Sequence, residues 1–107
     1  MARRPPSRTR LLATLRAHEP ELRARGIEAI TLFGSIARGE GRAHSDVDLA
    51  IRPGAGFSAG GFDHFGQIED LREHLGALLG CNVDLVEEPP RDPRLKRIIE
   101  QEGVRAF

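Results

Sequence analysis

The sequence contains neither tyrosine nor tryptophan, and Cys81 is its only cysteine. One cysteine excludes an internal disulfide, and disulfides are in any case typical of oxidising compartments rather than of the cytoplasm. No stretch is apolar for long enough to act as a secretory leader or to span a membrane. These absences predict a cytoplasmic protein that does not contact a membrane.

Neither sign of charge is in excess, because 16 basic residues balance 16 acidic ones. A protein that binds nucleic acid by bulk electrostatics normally carries a surplus of positive charge, so strong nucleic-acid binding is not expected. Little repulsion opposes contact between copies, so the composition permits a homo-oligomer. The length of 107 residues suits one ordinary domain. We predict a flexible tail over residues 1–7 and a single domain over residues 8–107.

Hydrophobic periodicity predicts a mixture of helices and strands. Apolar residues recur three and four positions apart over 62–79, which indicates an amphipathic helix containing Phe65 and Leu75 on its apolar side. A glycine-rich segment over 53–61 precedes it and is predicted to be a loop. The elements do not follow a regular βαβ series, so we predict an α/β (α+β) fold with a small mixed sheet flanked by helices. The predicted strands cover 27–33, 46–52 and 82–87. Ser7 and Asp92 are predicted to cap helices, and residues 35–38 are predicted to form a short helix.

Three aspartates occupy the predicted strands. Asp46 and Asp48 are two positions apart, so their side chains leave the same face of one strand. Asp84 lies on another strand and reaches the same face if the two strands are neighbours. Mg²⁺ prefers carboxylate oxygens together with phosphate oxygens and water. The spacing therefore predicts a metal site at Asp46, Asp48 and Asp84.

A glycine and a serine follow the first predicted strand directly. Gly34 allows a tight turn and a close approach of phosphate, and Ser35 begins a short helix whose amide groups can hold a phosphate. Arg38, one turn later, could add a charged contact. The competing interpretation is a glycine turn beside exposed aspartates. A Gly-Ser pair ten residues before Asp-x-Asp would arise by chance about once in a thousand chains of this length, which favours a nucleoside triphosphate site.

The segment GSIARGEGRAHSDVDLAI, residues 34–51, resembles the signature of the minimal nucleotidyltransferases of the DNA polymerase β-type superfamily. VDLVE at 83–87 resembles the strand that carries the third acid of that superfamily. The resemblance implies a nucleotidyltransferase fold, ATP as substrate and two Mg²⁺ ions. It assigns Gly34, Ser35 and Arg38 to the nucleotide, Asp46 and Asp48 to metal, and Asp84 to metal or to the attacking hydroxyl.

In its length the chain resembles the free-standing members of this family, which are commonly the antitoxin half of a two-protein pair. The other half of the pair is a toxin, a HEPN-domain ribonuclease. The resemblance implies a protein adenylyltransferase that moves AMP from ATP to a tyrosine of that toxin. Two alternatives remain open: an antitoxin that acts by binding alone, and nucleotidyl transfer to a small molecule or an RNA end. The residues do not decide the acceptor, the preferred base or the number of AMP groups transferred.

Overall fold

The computed structural model describes residues 7–42, 46–55, 57 and 61–107, and of residues 61–63 it describes the backbone only. Residues 1–6 of the predicted tail and residues 56 and 58–60 of the predicted loop lie outside this description. The helices and strands follow in chain order: α1 (Arg8–Ala17), α2 (Glu19–Ala24), β1 (Ile27–Phe33), α3 (Gly34–Ala37), β2 (Val47–Pro53), α4 (Gly61–Leu79), β3 (Val83–Glu87), α5 (Pro93–Glu102) and β4 (Val104–Arg105).

The strands form one four-stranded sheet in the order β3-β2-β1-β4. β1 runs antiparallel to both β2 and β4, whereas β2 and β3 run parallel. A parallel pair needs a crossover connection, and α4 provides it between β2 and β3. The sheet is therefore mixed and flanked by helices, which confirms the predicted fold class.

Helices cover both faces of the sheet. On one face, α1, α2 and α4 bury leucines against the alternate strand residues Ile30, Leu32, Leu49 and Ile51. On the other face, Ile99 and Leu95 of α5 pack against Phe33, Ala50 and Val86. The first face contains most of the core, whereas α5 covers only part of the second. That second face therefore retains room for polar side chains.

Local sequence signals set several helix boundaries as predicted. The Ser7 hydroxyl accepts a hydrogen bond from the Arg10 amide at 3.4 Å, and the Asp92 carboxylate accepts one from the Arg94 amide at 2.9 Å. Several boundaries differ from the prediction by one residue, and two of them lie at the candidate site. α3 begins at Gly34 rather than Ser35, and β2 begins at Val47, which leaves Asp46 just before the strand.

The position of Phe65 on α4 corrects a prediction. Leu71 and Leu75 are buried, but the Phe65 side chain is 72% exposed, so its assignment to the apolar side was wrong. Each residue turns the helix by about 100°, which places Phe65 on the flank that carries Glu69 and Arg72. Although α4 has 19 residues, no helix in the described part of the chain is long and apolar enough to cross a membrane.

These exposures predict opposite outcomes for two substitutions on the same helix. Leu75 is 0% exposed, and Leu75→Ala is expected to lower the free energy of unfolding by about 2–5 kcal/mol, because it removes contacts and leaves a cavity. Phe65→Ala is expected to change it by no more than about 0.5 kcal/mol. Urea denaturation of both variants measures the difference, and equal losses would contradict the exposure of Phe65.

Candidate active site

The parallel pairing of β2 with β3 sets Asp48 directly beside Asp84. Residues at the same register of neighbouring strands direct their side chains to the same face. Val47 and Leu49, which flank Asp48 in sequence, are buried on the opposite face. Both carboxylates therefore leave the sheet on the face that carries α5, at the end where β2 and β3 begin.

Asp46 extends this acidic group beyond the end of β2. It is exposed and lies two residues before Asp48, immediately before the strand. The amide of Val47, which follows Asp46, donates to the Asn82 carbonyl at 2.9 Å and so fixes the chain where it enters the sheet. The sheet thus gathers the three predicted acids, with Asp48 half-buried between the more exposed Asp46 and Asp84.

The glycine turn touches the Asp48 carboxylate. Gly34 has φ +80°, a conformation that residues with a Cβ rarely adopt. Phe33, just before it, is the register partner of Asp48 on β2. A Cβ added at Gly34 would overlap the carboxylate oxygen of Asp48. A residue with a Cβ at this position would need a strained backbone angle and would also displace the Asp48 carboxylate.

The short helix α3 presents amide groups beside this turn. Ile36 and Ala37 are buried, which fixes α3 against the sheet. Phe33 stands at the N-cap and has no polar side chain that could accept a hydrogen bond from the first amides. Amide groups at a helix start that lack such a partner can bind an anion. Ser35 is the second residue of this helix and is half-buried.

Arg38 caps the C-terminal end of α3, and its guanidinium forms ion pairs with two carboxylates. Its Nε donates to Glu40 Oε2 at 2.7 Å and its Nη1 to Glu102 Oε2 at 3.0 Å. These hydrogen bonds raise the pKa of Arg38. The positive charge of Arg38 partly offsets the rise in the pKa of Asp48 that burial and the neighbouring acids cause. A contact between Arg38 and a triphosphate would require exchange of these two exposed ion pairs, which are weak in water.

The electrostatics of the acids favour a bound cation. Burial raises the pKa of Asp48, and the neighbouring charges of Asp84 and Asp46 raise it further. Among the residues described, no three side chains of metal-binding type form a complete ligand set. Mg²⁺ commonly uses one or two carboxylates and completes its shell with phosphate oxygens and water. The acids therefore fit an ion that binds together with a nucleotide better than one held by protein alone.

Sequence reasoning missed two groups around the acids. It did not place Arg72 near Asp84. Glu69 raises the pKa of Arg72 most, and the charges of Glu73 and then Asp84 raise it further. It also did not identify Glu102 as a partner of Arg38, 64 residues away. No local pattern indicates either contact, because each depends on how a helix packs against the sheet.

The profile of the family described as polymerase beta, nucleotidyltransferase, matches residues 19–107. The protein adenylyltransferase MntA of Thermococcus cleftensis is 41% identical over 76 residues, which span 67% of this chain and 68% of that protein.

Solved structures agree with these sequence matches. The structure of a candidate minimal nucleotidyltransferase superposes with a TM-score of 0.64 and 33% identity, covering 87% of this chain and 93% of that chain. A chain of a variant MntA–HpeT toxin–antitoxin crystal structure gives a TM-score of 0.58 and 26% identity, covering 92% of this chain and 70% of that chain.

Substituting Gly34 tests the contact between the turn and the acid. Gly34→Ala is expected to destabilise the fold by about 1–3 kcal/mol and to weaken binding of MgATP, because the new Cβ displaces the Asp48 carboxylate. Gly39→Ala is the matched control, since Gly39 has φ +77° but nothing within 4 Å of an added Cβ. Thermal denaturation and calorimetric titration measure both effects. Equal loss of MgATP binding in the two variants would contradict the contact.

The raised pKa of Asp48 predicts a dependence of stability on pH. A carboxyl with a raised pKa in the fold binds more protons folded than unfolded, so its contribution to stability is lost as the pH rises through that pKa. Asp48→Asn is therefore expected to be more stable than the wild type at neutral pH and equally stable well below the ordinary carboxyl pKa. Melting temperatures across this range, with the exposed Asp70→Asn as control, test it. A gain in stability that persists unchanged in acid would contradict the raised pKa of Asp48.

Proposed function

The chain belongs to the polymerase β-type nucleotidyltransferase family, and we propose that it transfers AMP from ATP to a tyrosine of a HEPN ribonuclease toxin, as an antitoxin. One observation carries the nucleotidyl-transfer part: Asp48 stands beside Asp84 on parallel strands and touches the Gly34 turn. A relative named as a protein adenylyltransferase supports a protein acceptor. The likeness to a chain of a toxin–antitoxin structure supports a toxin as that acceptor.

Asp46 and Asp48 would hold magnesium together with the triphosphate of ATP. Their arrangement suits the ion because two carboxylates at the entrance of one strand leave the remaining ligand positions to phosphate oxygens and water. When bound, magnesium would neutralise charge on the triphosphate and on the departing pyrophosphate. The cation would also offset what raises the pKa of Asp48, namely its burial first and then the charges of Asp84 and Asp46.

The residues of the turn would hold the triphosphate. Amide groups at the start of α3 and the Ser35 hydroxyl can donate to phosphate oxygens, and the absence of a Cβ at Gly34 permits their close approach. Since the turn touches Asp48, a phosphate bound there would lie next to the metal ligands. Arg38 would add positive charge at the far end of the same short helix.

Asp84 would act on the acceptor. Its side chain is exposed, so a hydroxyl group of another protein can reach it, and it stands next to Asp48. The hydroxyl oxygen attacks the α-phosphorus of ATP and forms a new P–O bond. The bond from that phosphorus to the bridging oxygen breaks, pyrophosphate leaves, and the hydroxyl proton passes to Asp84. The products are the AMP-modified side chain and pyrophosphate.

Two substitutions separate nucleotide binding from transfer. Asp48→Asn is expected to lose both magnesium-dependent ATP binding and transfer, because it removes a metal ligand. Asp84→Asn is expected to retain most ATP binding but to slow transfer at least about 100-fold, because it removes the proton acceptor. Isothermal titration with MgATP measures binding. Intact-mass measurement of the protein encoded next to this chain's gene, after incubation with MgATP, measures transfer.

The exposed Asp70→Asn variant serves as the control for lost negative charge. An increase of one or more AMP units on the neighbouring protein, absent with Asp48→Asn, supports the proposal. Full transfer by Asp48→Asn would overturn the assignment of the site. Tight binding between wild type and neighbour with no change in mass, under conditions where MgATP binds, would instead indicate an antitoxin that acts by binding alone.

A further inference from the structure

We propose that one flank of α4 docks the protein acceptor, and that the complementary surface of the acceptor is basic and contains an apolar cleft. We call this flank the α4 stripe and define it by Phe65, Glu69, Arg72 and Glu73. The inference rests on the proposed function in one respect, namely that the acceptor is a protein. It adds where the acceptor binds and which chemistry selects it.

The stripe is a continuous line along the helix. Glu69 and Arg72 follow Phe65 by four and seven residues, and Glu73 follows Glu69 by four, so successive turns of the helix carry them along one flank. Leu71 and Leu75 point into the core, so the stripe faces away from it. The Phe65 ring, at 72%, is much more exposed than Ile98, at 40%, the other exposed large hydrophobic residue among those described. One exposed apolar residue is common on protein surfaces, but this ring is aromatic and lies beside charged groups, and aromatic anchors inside a polar surround dominate many protein contacts.

The stripe leads along the sheet toward the reacting acids. α4 and β3 run in opposite directions, as shown at one end by His64 Nε2 and Glu87 Oε1, which are 2.6 Å apart. Toward the other end, Arg72 lies within electrostatic range of Asp84. β3 is the outermost strand on this side of the described sheet. α4 covers the face of the sheet opposite to Asp84, so an acceptor seated on Phe65 would reach Asp84 around the outer edge of β3.

The charge of this region selects a basic partner. Arg72 Nη2 donates to Glu69 Oε2 at 2.9 Å, and Glu73 and Asp84 also act on the same guanidinium. One positive group thus serves three carboxylates, so the stripe and its end at Asp84 are acidic although the whole chain is neutral. An acidic surface around an exposed ring attracts a basic surface with an apolar cleft and repels the phosphates of nucleic acid.

A substitution at Phe65 tests the docking. The probe is the protein encoded next to this chain's gene, incubated with the full chain and MgATP, with the extent of AMP transfer read by intact mass. Phe65→Ser is expected to raise the KM for this protein about tenfold or more, which corresponds to the loss of a central contact. The KM for ATP should not change. Ile98→Ser is the matched control, because it removes the other exposed apolar side chain without touching the stripe.

A charge reversal tests the electrostatic part. Glu73→Lys should raise the KM for the probe protein and weaken its dependence on salt, whereas Glu100→Lys on α5 should do neither. For the wild type, the KM for the probe should rise between about 50 and 300 mM NaCl, because salt screens exposed charges. Thermal denaturation confirms that each variant is folded at the assay temperature.

The outcomes distinguish this inference from the proposed function. If the wild type binds MgATP but modifies no protein, the proposed function fails and the docking surface fails with it. If the wild type modifies the probe and Phe65→Ser does so with an unchanged KM, only the docking surface is wrong. If sedimentation shows that Phe65 mediates self-association, and the KM for the probe does not respond, the stripe binds a second copy and the inference is overturned.

Discussion

The site depends on the parallel hydrogen bonding of β2 to β3. This pairing alone sets Asp48 and Asp84, 36 positions apart in the sequence, at the same register of one sheet face. The antiparallel partner on the other side of β2 is β1, which ends at Phe33 opposite Asp48. The turn at Gly34 therefore follows at the level of the acids. A shift of β2 by one residue would turn Asp48 to the opposite face, into the core beneath α4.

Burial secures this register. Val47, Leu49 and Ile51 are each 0% exposed, and they alternate with Asp48, Ala50 and Arg52 along the strand. Slippage would expose the first set and bury charges, at a cost far above that of any surface interaction. The hydrophobic core on one face thus holds the carboxylates rigidly on the other. The partial burial of Asp48 and the charges of its neighbours, which together raise its pKa, are tolerated because the same core stabilises the strands.

The two sides of α4 have different roles. The side with Leu71 and Leu75 completes the core, and the crossover that contains this helix is what makes β2 and β3 parallel. The opposite flank carries an exposed ring and a charged network beside Asp84. In the proposed docking mode one helix would serve both fold and acceptor recognition, because the parallel connection that aligns the acids also brings the outer flank of α4 to the edge strand β3.

The sequence by itself determined the local features: the strand over Ile27–Phe33, the helix caps at Ser7 and Asp92, the glycine turn at Gly34 and the alternation that puts Asp48 opposite to Val47 and Leu49. These follow from backbone conformation and from side-chain periods that act over a few residues. Only the tertiary structure decided that β3 neighbours β2, that Arg38 pairs with Glu102, and that Phe65 lies in solvent while Leu75 lies in the core. Apolar residues at spacings of three and four can lie at the margin of the apolar side of a helix or at its centre, so the spacing alone does not show which of them are buried. Strand order and helix rotation depend on packing between distant segments, and local preferences do not encode that packing.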